Sequence, residues 1–360
     1  MESYNHNISN FSGKGGVKIF FQKWIAPKAK AALVLVHGVG EHSGRYSNLL
    51  NALAGKGVSV FALDHRGHGK SEGKRGHVDS FMDYVYDLKL FVEYVKDENK
   101  GLPLVLYGHS MGGIIAAKYA LTYQNDPSMV VLSSPGFAPA FKVPGWKKSI
   151  ATFLSSKAGS LLIPTGLSPA DISRDSEAVK EYASDPMVHK KVSAKWFTEF
   201  MKTGEECMTN ALSLKKPLLV FHGTGDKIAD YKATEEFYNS AGSSQKDILL
   251  YDGFYHEVIN EPEADRNRAL KDVVSWILKQ VDDFKKSAVS KKAVKKTVKK
   301  TASKKAAKAA PKKASSKKPA AKKTAKAGPK AESKVSSKAK TSAKKSAAKK
   351  PASPKKDTKK

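Results

Sequence analysis

Six short apolar runs recur along residues 1–284, and several of the segments between them carry helical periodicity. The runs are ALVLVH (32–37), VSVFALD (58–64), LPLVLYG (102–108), MVVLSS (129–134), PLLVFHG (217–223) and DILLYDG (247–253), preceded by the alternating segment VKIFFQKWI (17–25). Several of them lack the polar alternation of a strand with one wet face, so they read as strands buried on both sides. Within 80–99, Phe81, Val85, Leu88, Val92 and Val95 recur three and four residues apart, forming one apolar helical face, and Ser80 stands where an N-cap belongs. Further helices are expected near 45–55, 111–123, 231–241 and 263–283. Strand and helix in alternation restrict the chain to an α/β fold, a mainly parallel central sheet flanked by helices.

The alternation stops between about 136 and 214, where Pro139, Pro144, Pro164, Pro169 and Pro186 interrupt mostly helical pieces and no clear strand is visible. This stretch is expected to be a helical cap lying over the carboxyl edge of the sheet, the place where selectivity resides.

Charge divides the chain a second way. From Lys285 onward, 76 residues hold 30 Lys, no Arg, two acids and no aromatic side chain, a net +28 of the chain's +30. The expected organisation is a body at 1–284, nearly neutral and able to bury a core, followed by a disordered lysine-rich tail at 285–360. One cysteine, Cys207, excludes an intramolecular disulfide and reads as a buried, inert thiol. The start of the chain does not read as a secretory signal, and no apolar run reaches the 18 or so residues of a membrane span. A cytoplasmic location is expected.

Gly108-His109-Ser110-Met111-Gly112 fits G-x-S-x-G, a sharp strand-to-helix turn that exposes a serine at the top of a sheet. The strand LPLVLY before it and the helix IIAAKYALTY after it supply the context that the pattern requires. A serine hydroxyl is a poor nucleophile near neutral pH, so it needs a base and a group that orients the base. In this architecture they follow in the order Ser, Asp or Glu, His, each just after a strand. Asp226 in HGTGD and His256 in GFYHE stand at those places, although Asp230 competes with the first and nine other histidines with the second. The oxyanion formed on the attacked carbonyl needs amide donors, expected from Met111 after the nucleophile and from Val39 in the loop HGVG (37–40).

HGVGEHSGRY (37–46), DHRGHGKSEGKRGHV (64–78), GHSMGG (108–113), SRD with a later DP (173–175, 185–186), HGTGD (222–226) and YHEVINEP (255–262) together resemble the monoacylglycerol lipase and lysophospholipase branch of the α/β-hydrolases. The resemblance covers nearly all of 10–284. It implies a hydrolase without a cofactor or metal, acting on single-chain acylglycerol esters, with a mobile cap that admits the acyl chain to an apolar tunnel. On that pattern Ser110, Asp226 and His256 fall on the triad, and Val39 and Met111 on the oxyanion amides. Glu41 and Arg45 either organise the loop around the oxyanion site or form a surface ion pair. The cap matches the family only loosely, and the family pattern has no such tail.

The tail resembles the lysine-rich C-terminal tails of H1-type linker histones and bacterial histone-like proteins, with one SPKK at 353–356. Lysines without arginine forks or interleaved aromatics suit contact with phosphates and not the reading of bases. The expected partners are therefore a lipid-like ester at the body and, at the tail, nucleic acid or another polyanion, with peripheral contact to an anionic membrane. From a different class, the chain also reads as a nucleoid-associated or DNA/RNA-binding protein whose hydrolase body is a secondary module.

Overall fold

The structure, a computed structural model, describes residues 4–141 and 153–308. The chain divides into two units, Met1–Thr301 and Ala302–Lys360. The sheet, the helical residues packed on it and the site described below belong to the first.

Eight strands form one sheet in the order β1-β2-β4-β3-β5-β6-β9-β10. They are β1 (Asn5–Ser12), β2 (Lys18–Ile25), β3 (Ala31–Val36), β4 (Val58–Leu63), β5 (Leu104–His109), β6 (Met129–Ser133), β9 (Leu218–Gly223) and β10 (Lys246–Tyr251). The pairs β1·β2 and β2·β4 are antiparallel; from β4 to β10 every pair is parallel. This is the α/β-hydrolase fold, with the parallel strands' carboxyl ends along one edge.

Successive side chains of a strand face opposite ways, and β3 shows what this does to a doubly covered sheet. Val34 and Val36 pack with Val85, Leu88 and Val92 of α2 (Met82–Glu98) and Ile114 and Ile115 of α3 (Met111–Thr122). Leu33 and Leu35 pack on the other side with Leu49 and Leu53 of α1 (Ser47–Leu53) and Val273, Ile277 and Val281 of α7 (Glu263–Lys308). Truncating one of these leucines or isoleucines to Ala costs about 2–5 kcal/mol.

Between β6 and β9 the chain leaves the sheet. Its described part includes β7 (Leu162–Pro164), α4 (Ser176–Ser184), β8 (Lys191–Ser193) and α5 (Ala194–Thr209); α6 (Tyr231–Ser240) follows β9. Where no strand was expected, β7 and β8 pair antiparallel over three residues each, too short for a periodic signal. Ser80 is not the N-cap of α2: Phe81 holds that position, and Ser80 contributes its carbonyl to the Asp83 amide. The backbone of α7 runs on through Lys308, overlapping the first 24 residues of the segment expected to be disordered. Ala and Lys are good helix formers, and the next proline is Pro311. Residues 309–360 of that segment lie outside the described residues, as does 142–152 of the expected cap. Among the described residues no helix is long and apolar enough to cross a membrane.

Candidate active site

The turn from β5 into α3 leaves no room for side chains at its glycines. A Cβ on Gly108 would sit 2.3 Å from the Gly112 carbonyl oxygen, and one on Gly112 would sit 2.1 Å from that of Val36. Ser110 lies at the apex with φ +54° and ψ −118°, a conformation that costs a non-glycine residue about 1–3 kcal/mol. Its neighbours hold it there: the Ser110 amide donates to Ser133 O at 3.0 Å, and the Gly113 and Gly136 amides donate to Ser110 O at 2.9 and 3.1 Å.

Three side chains distant in sequence meet at this apex. Ser110 Oγ lies 2.9 Å from His256 Nε2, and His256 Nδ1 lies 2.7 Å from Asp226 Oδ2. Asp226 Oδ1 accepts the Ile228 and Ala229 amides at 2.7 and 3.0 Å, which pins the carboxylate on the turn after β9. Asp230 instead caps α6 through the Lys232 amide. A carboxylate is acceptor-only, so His256 carries its hydrogen on Nδ1 and turns a bare Nε2 to the serine. Burial works against the charge of both groups. Their mutual attraction, joined by His222 at the carboxylate and by Glu257 and Glu41 at the imidazole, prevails, holding Asp226 below the usual carboxylate range and His256 above its ordinary value.

The loop after β3 crosses directly over Ser110, since a Cβ on Gly38 would lie 3.2 Å from Ser110 Cβ. Val39 lines a cavity together with Ser110. Met111 opens α3, and its amide, at the first helical position, lies at the positive end of that helix ahead of the first intrahelical bond. Glu41 and Arg45 are no surface pair; their side chains are 5% and 11% exposed. Glu41 Oε1 accepts the Gly38 amide at 2.6 Å and the Tyr46 hydroxyl at 2.8 Å, and Arg45 Nη1 donates to Glu41 Oε2 at 3.0 Å. Burial pushes the Glu41 carboxyl up, but Arg45, His109, His37 and the Gly38 amide together outweigh it and hold the group at about 2. The far side of the loop is tied to the excursion between β6 and β9. The His189 amide donates to Gly40 O at 2.9 Å, and His42 Nε2 pairs with Asp185 Oδ2 at 2.8 Å.

The cavity above Ser110 has a volume of about 410 Å³ and is walled by Phe141, Ile163, Leu167, Trp196, Phe200 and Met201. Apolar walls converging on one polar cluster favour a ligand with a hydrocarbon part and a single reactive group. Cys207 is buried away from it against α3, and burial pushes its thiol up to about 12. Two residues that the sequence reading missed belong to the site's surroundings. His222 Nε2 lies 2.8 Å from Asp226 Oδ2, and Glu257 receives both terminal nitrogens of Arg45. A histidine inside an otherwise apolar strand, four residues before Asp226, was the one available signal for the first; nothing local marks the second.

Fold and site define a class: the protein is an ester hydrolase of the α/β-hydrolase kind. The chain belongs to the Hydrolase_4 family, described as serine aminopeptidase, S33, which matches residues 27–263. It is 36% identical over 281 residues to a monoacylglycerol lipase of Mycolicibacterium smegmatis, covering 77% of this chain and 99% of the relative. Phospholipase YtpA of Bacillus subtilis is 33% identical over 246 residues, covering 67% and 93%. Among solved structures, the monoacylglycerol lipase of Paleococcus ferrophilus is similar with a TM-score of 0.67 at 33% identity, covering 73% of this chain and 99% of that one.

Proposed function

We propose that the enzyme cleaves the carboxylic ester of a single-chain lipid, a monoacylglycerol or a lysophospholipid, through an acyl-enzyme on Ser110. The observation that carries this reading is the unbroken line from Ser110 Oγ through His256 to Asp226 at the floor of an apolar cavity. The monoacylglycerol lipase and phospholipase among the relatives support the substrate class.

His256 Nε2 takes the hydroxyl proton as Ser110 Oγ attacks the carbonyl carbon. The oxyanion accepts the Val39 and Met111 amides, donors set in place before the charge forms. When the tetrahedral intermediate collapses, the His256 proton passes to the departing alcohol, glycerol or a glycerophospho-compound. Water, deprotonated by the same imidazole, then attacks the acyl-enzyme and releases the fatty acid. Asp226 keeps the ring in the required tautomer and stabilises the imidazolium. The test is Ser110→Ala assayed on monoacylglycerols, lysophospholipids and short-chain esters; unchanged turnover with a retained fold ends the reading.

We further propose that the lysine-rich segment 285–360, similar in composition to histone H1 tails, binds polyanions without sequence preference. Its 30 lysines support a phosphate-contacting role that weakens steeply with salt as counterions are released. This keeps a cytoplasmic enzyme close to nucleic acid or an anionic membrane. The same concentration of charge favours a second reading, a nucleoid-associated or DNA/RNA-binding protein with the hydrolase as a secondary module. In gel-shift titrations at matched salt, a chain ending at Phe284 is expected to lose DNA binding and Ser110→Ala to keep it. Equal binding by the shortened chain rejects the tail's role.

A further inference from the structure

Asp226 Oδ2 receives two imidazoles, and only one of them reaches the serine. His256 Nδ1 lies at 2.7 Å from this oxygen and His222 Nε2 at 2.8 Å. The His222 and Asp226 side chains are both fully buried, so water does not compete for these contacts. Because the carboxylate only accepts, each of the two nitrogens must carry a hydrogen. In a neutral ring His222 Nδ1 is then a bare acceptor, and the Thr234 hydroxyl at 2.8 Å supplies its hydrogen bond. Thr234 is itself fully buried on α6. The line of contacts therefore runs Ser110, His256, Asp226, His222, Thr234, two members beyond the oriented base.

We propose that His222 is a positioning residue of the hydrolytic site: its Nε2–H holds Asp226 Oδ2 in line with His256 and divides that oxygen's attraction between two imidazoles. The proposal rests on the Ser110–His256–Asp226 reading above. Neither the Ile228 nor the Ala229 amide can do this work, because both bind Oδ1. A carboxylate fixed at Oδ1 alone remains free to swing Oδ2 out of the imidazole plane. A second donor on Oδ2 removes that freedom, and its share of the charge leaves less to stabilise the His256 imidazolium. The other charged or titratable groups acting on His256 are Glu257 beside it, Glu41 on the loop after β3 and His109 at the elbow, whose ring centroid lies 4.9 Å away. Arg45 lies between the two glutamates. None of these touches Oδ2.

The test is the pH profile of kcat/KM for the full chain and its His222→Gln, His222→Leu and Thr234→Val variants, with Ser110→Ala alongside. Leu removes the donor, so the carboxylate attracts His256 alone and the acid limb is expected to move up by about half a unit or more. kcat is expected to fall about tenfold with KM little changed, since the loss is one of alignment and not of substrate contact. Gln places an amide N–H near the same oxygen and is expected to bring the limb back toward the wild-type position. Thr234→Val leaves every contact of Asp226 in place but releases the His222 tautomer, and a shift in the same direction, smaller than that of Leu, is expected. An acid limb that stays put in soluble His222→Leu, or in Thr234→Val should Leu fail to fold, overturns the proposal. Activity surviving in Ser110→Ala sinks the underlying triad reading instead, a result the His222 variants cannot mimic.

Discussion

Arg45 grips Glu257 with both terminal nitrogens, Nη1 to Oε1 at 2.6 Å and Nη2 to Oε2 at 2.9 Å, one residue from His256. The same guanidinium binds Glu41, whose other oxygen holds the Gly38 amide next to Val39. The loop over Ser110 and the loop carrying His256 are thus joined through one buried cation. Glu257→Ala leaves Arg45 short of a counter-charge away from water, and breaking such a pair costs about 3–5 kcal/mol. A fall of that size in the unfolding free energy, read from urea titration, is expected, together with reduced kcat. A variant as stable as wild type would show that the pair is dispensable.

Ser110→Ala and Ser110→Gly should both lack turnover, yet differ in stability. The residue sits at φ +54°, a region that glycine enters freely and alanine does not. Glycine is expected to unfold at the higher temperature of the two, by the equivalent of about 1 kcal/mol. Calorimetry on the pair measures this directly.

On the proposed mechanism turnover requires a neutral His256. Burial lowers this imidazole, but Asp226, with Glu257 and Glu41, raises it above its ordinary value, so kcat/KM is expected to fall as pH drops through an apparent pKa above that of a free imidazole. In Asp226→Asn the acid limb should move down, and kcat should drop about 10⁴-fold as the tautomer is lost. A limb that holds its position in this variant would dissociate Asp226 from the base.

Fold stability should weaken on the acid side for a separate reason. Burial lowers the imidazoles of His37, His65 and His68, which pack ring to ring below the loop. Below pH 6.5 the unfolded chain binds protons that these folded rings refuse, so their stabilisation is complete above that pH and declines as pH falls. His256 has the opposite sign, contributing most at low pH, but it is one group against five, since His109 and His189 are lowered as well. Melting temperature is expected to fall from pH 7 toward 5, less steeply in His68→Gln.

Leu167 and Ile163 wall the cavity above Ser110, and a tryptophan at either place shortens the space for a hydrocarbon chain. Leu167→Trp is expected to lower kcat/KM for long-chain monoesters about tenfold or more while sparing short ones. A chain-length profile settles it; an unchanged profile would remove this cavity as the acyl site.

The central strands were legible because β3, β4, β5, β6 and β9 are buried throughout and so are written in apolar residues. β1 was not, since NHNISNFS lies exposed at the edge and gains its shape from pairing with β2. Ser110, Asp226 and His256 could be picked out because each follows a strand, and the structure brings them into contact. His222 was hidden inside such a strand. Glu257 meets Arg45 across 212 residues, a pairing with no local pattern to reveal it.

Gly40 joins the loop after β3 to the excursion between β6 and β9. Its carbonyl receives the His189 amide, and a Cβ on it would lie 2.5 Å from the His189 oxygen, so segment 185–193 is seated hard against the neighbour of Val39. Grafting that region from a relative to change selectivity would replace one wall of the loop over the serine. Chimeras in this family should accordingly exchange 37–45 along with the graft, or inherit a new specificity at the expense of rate.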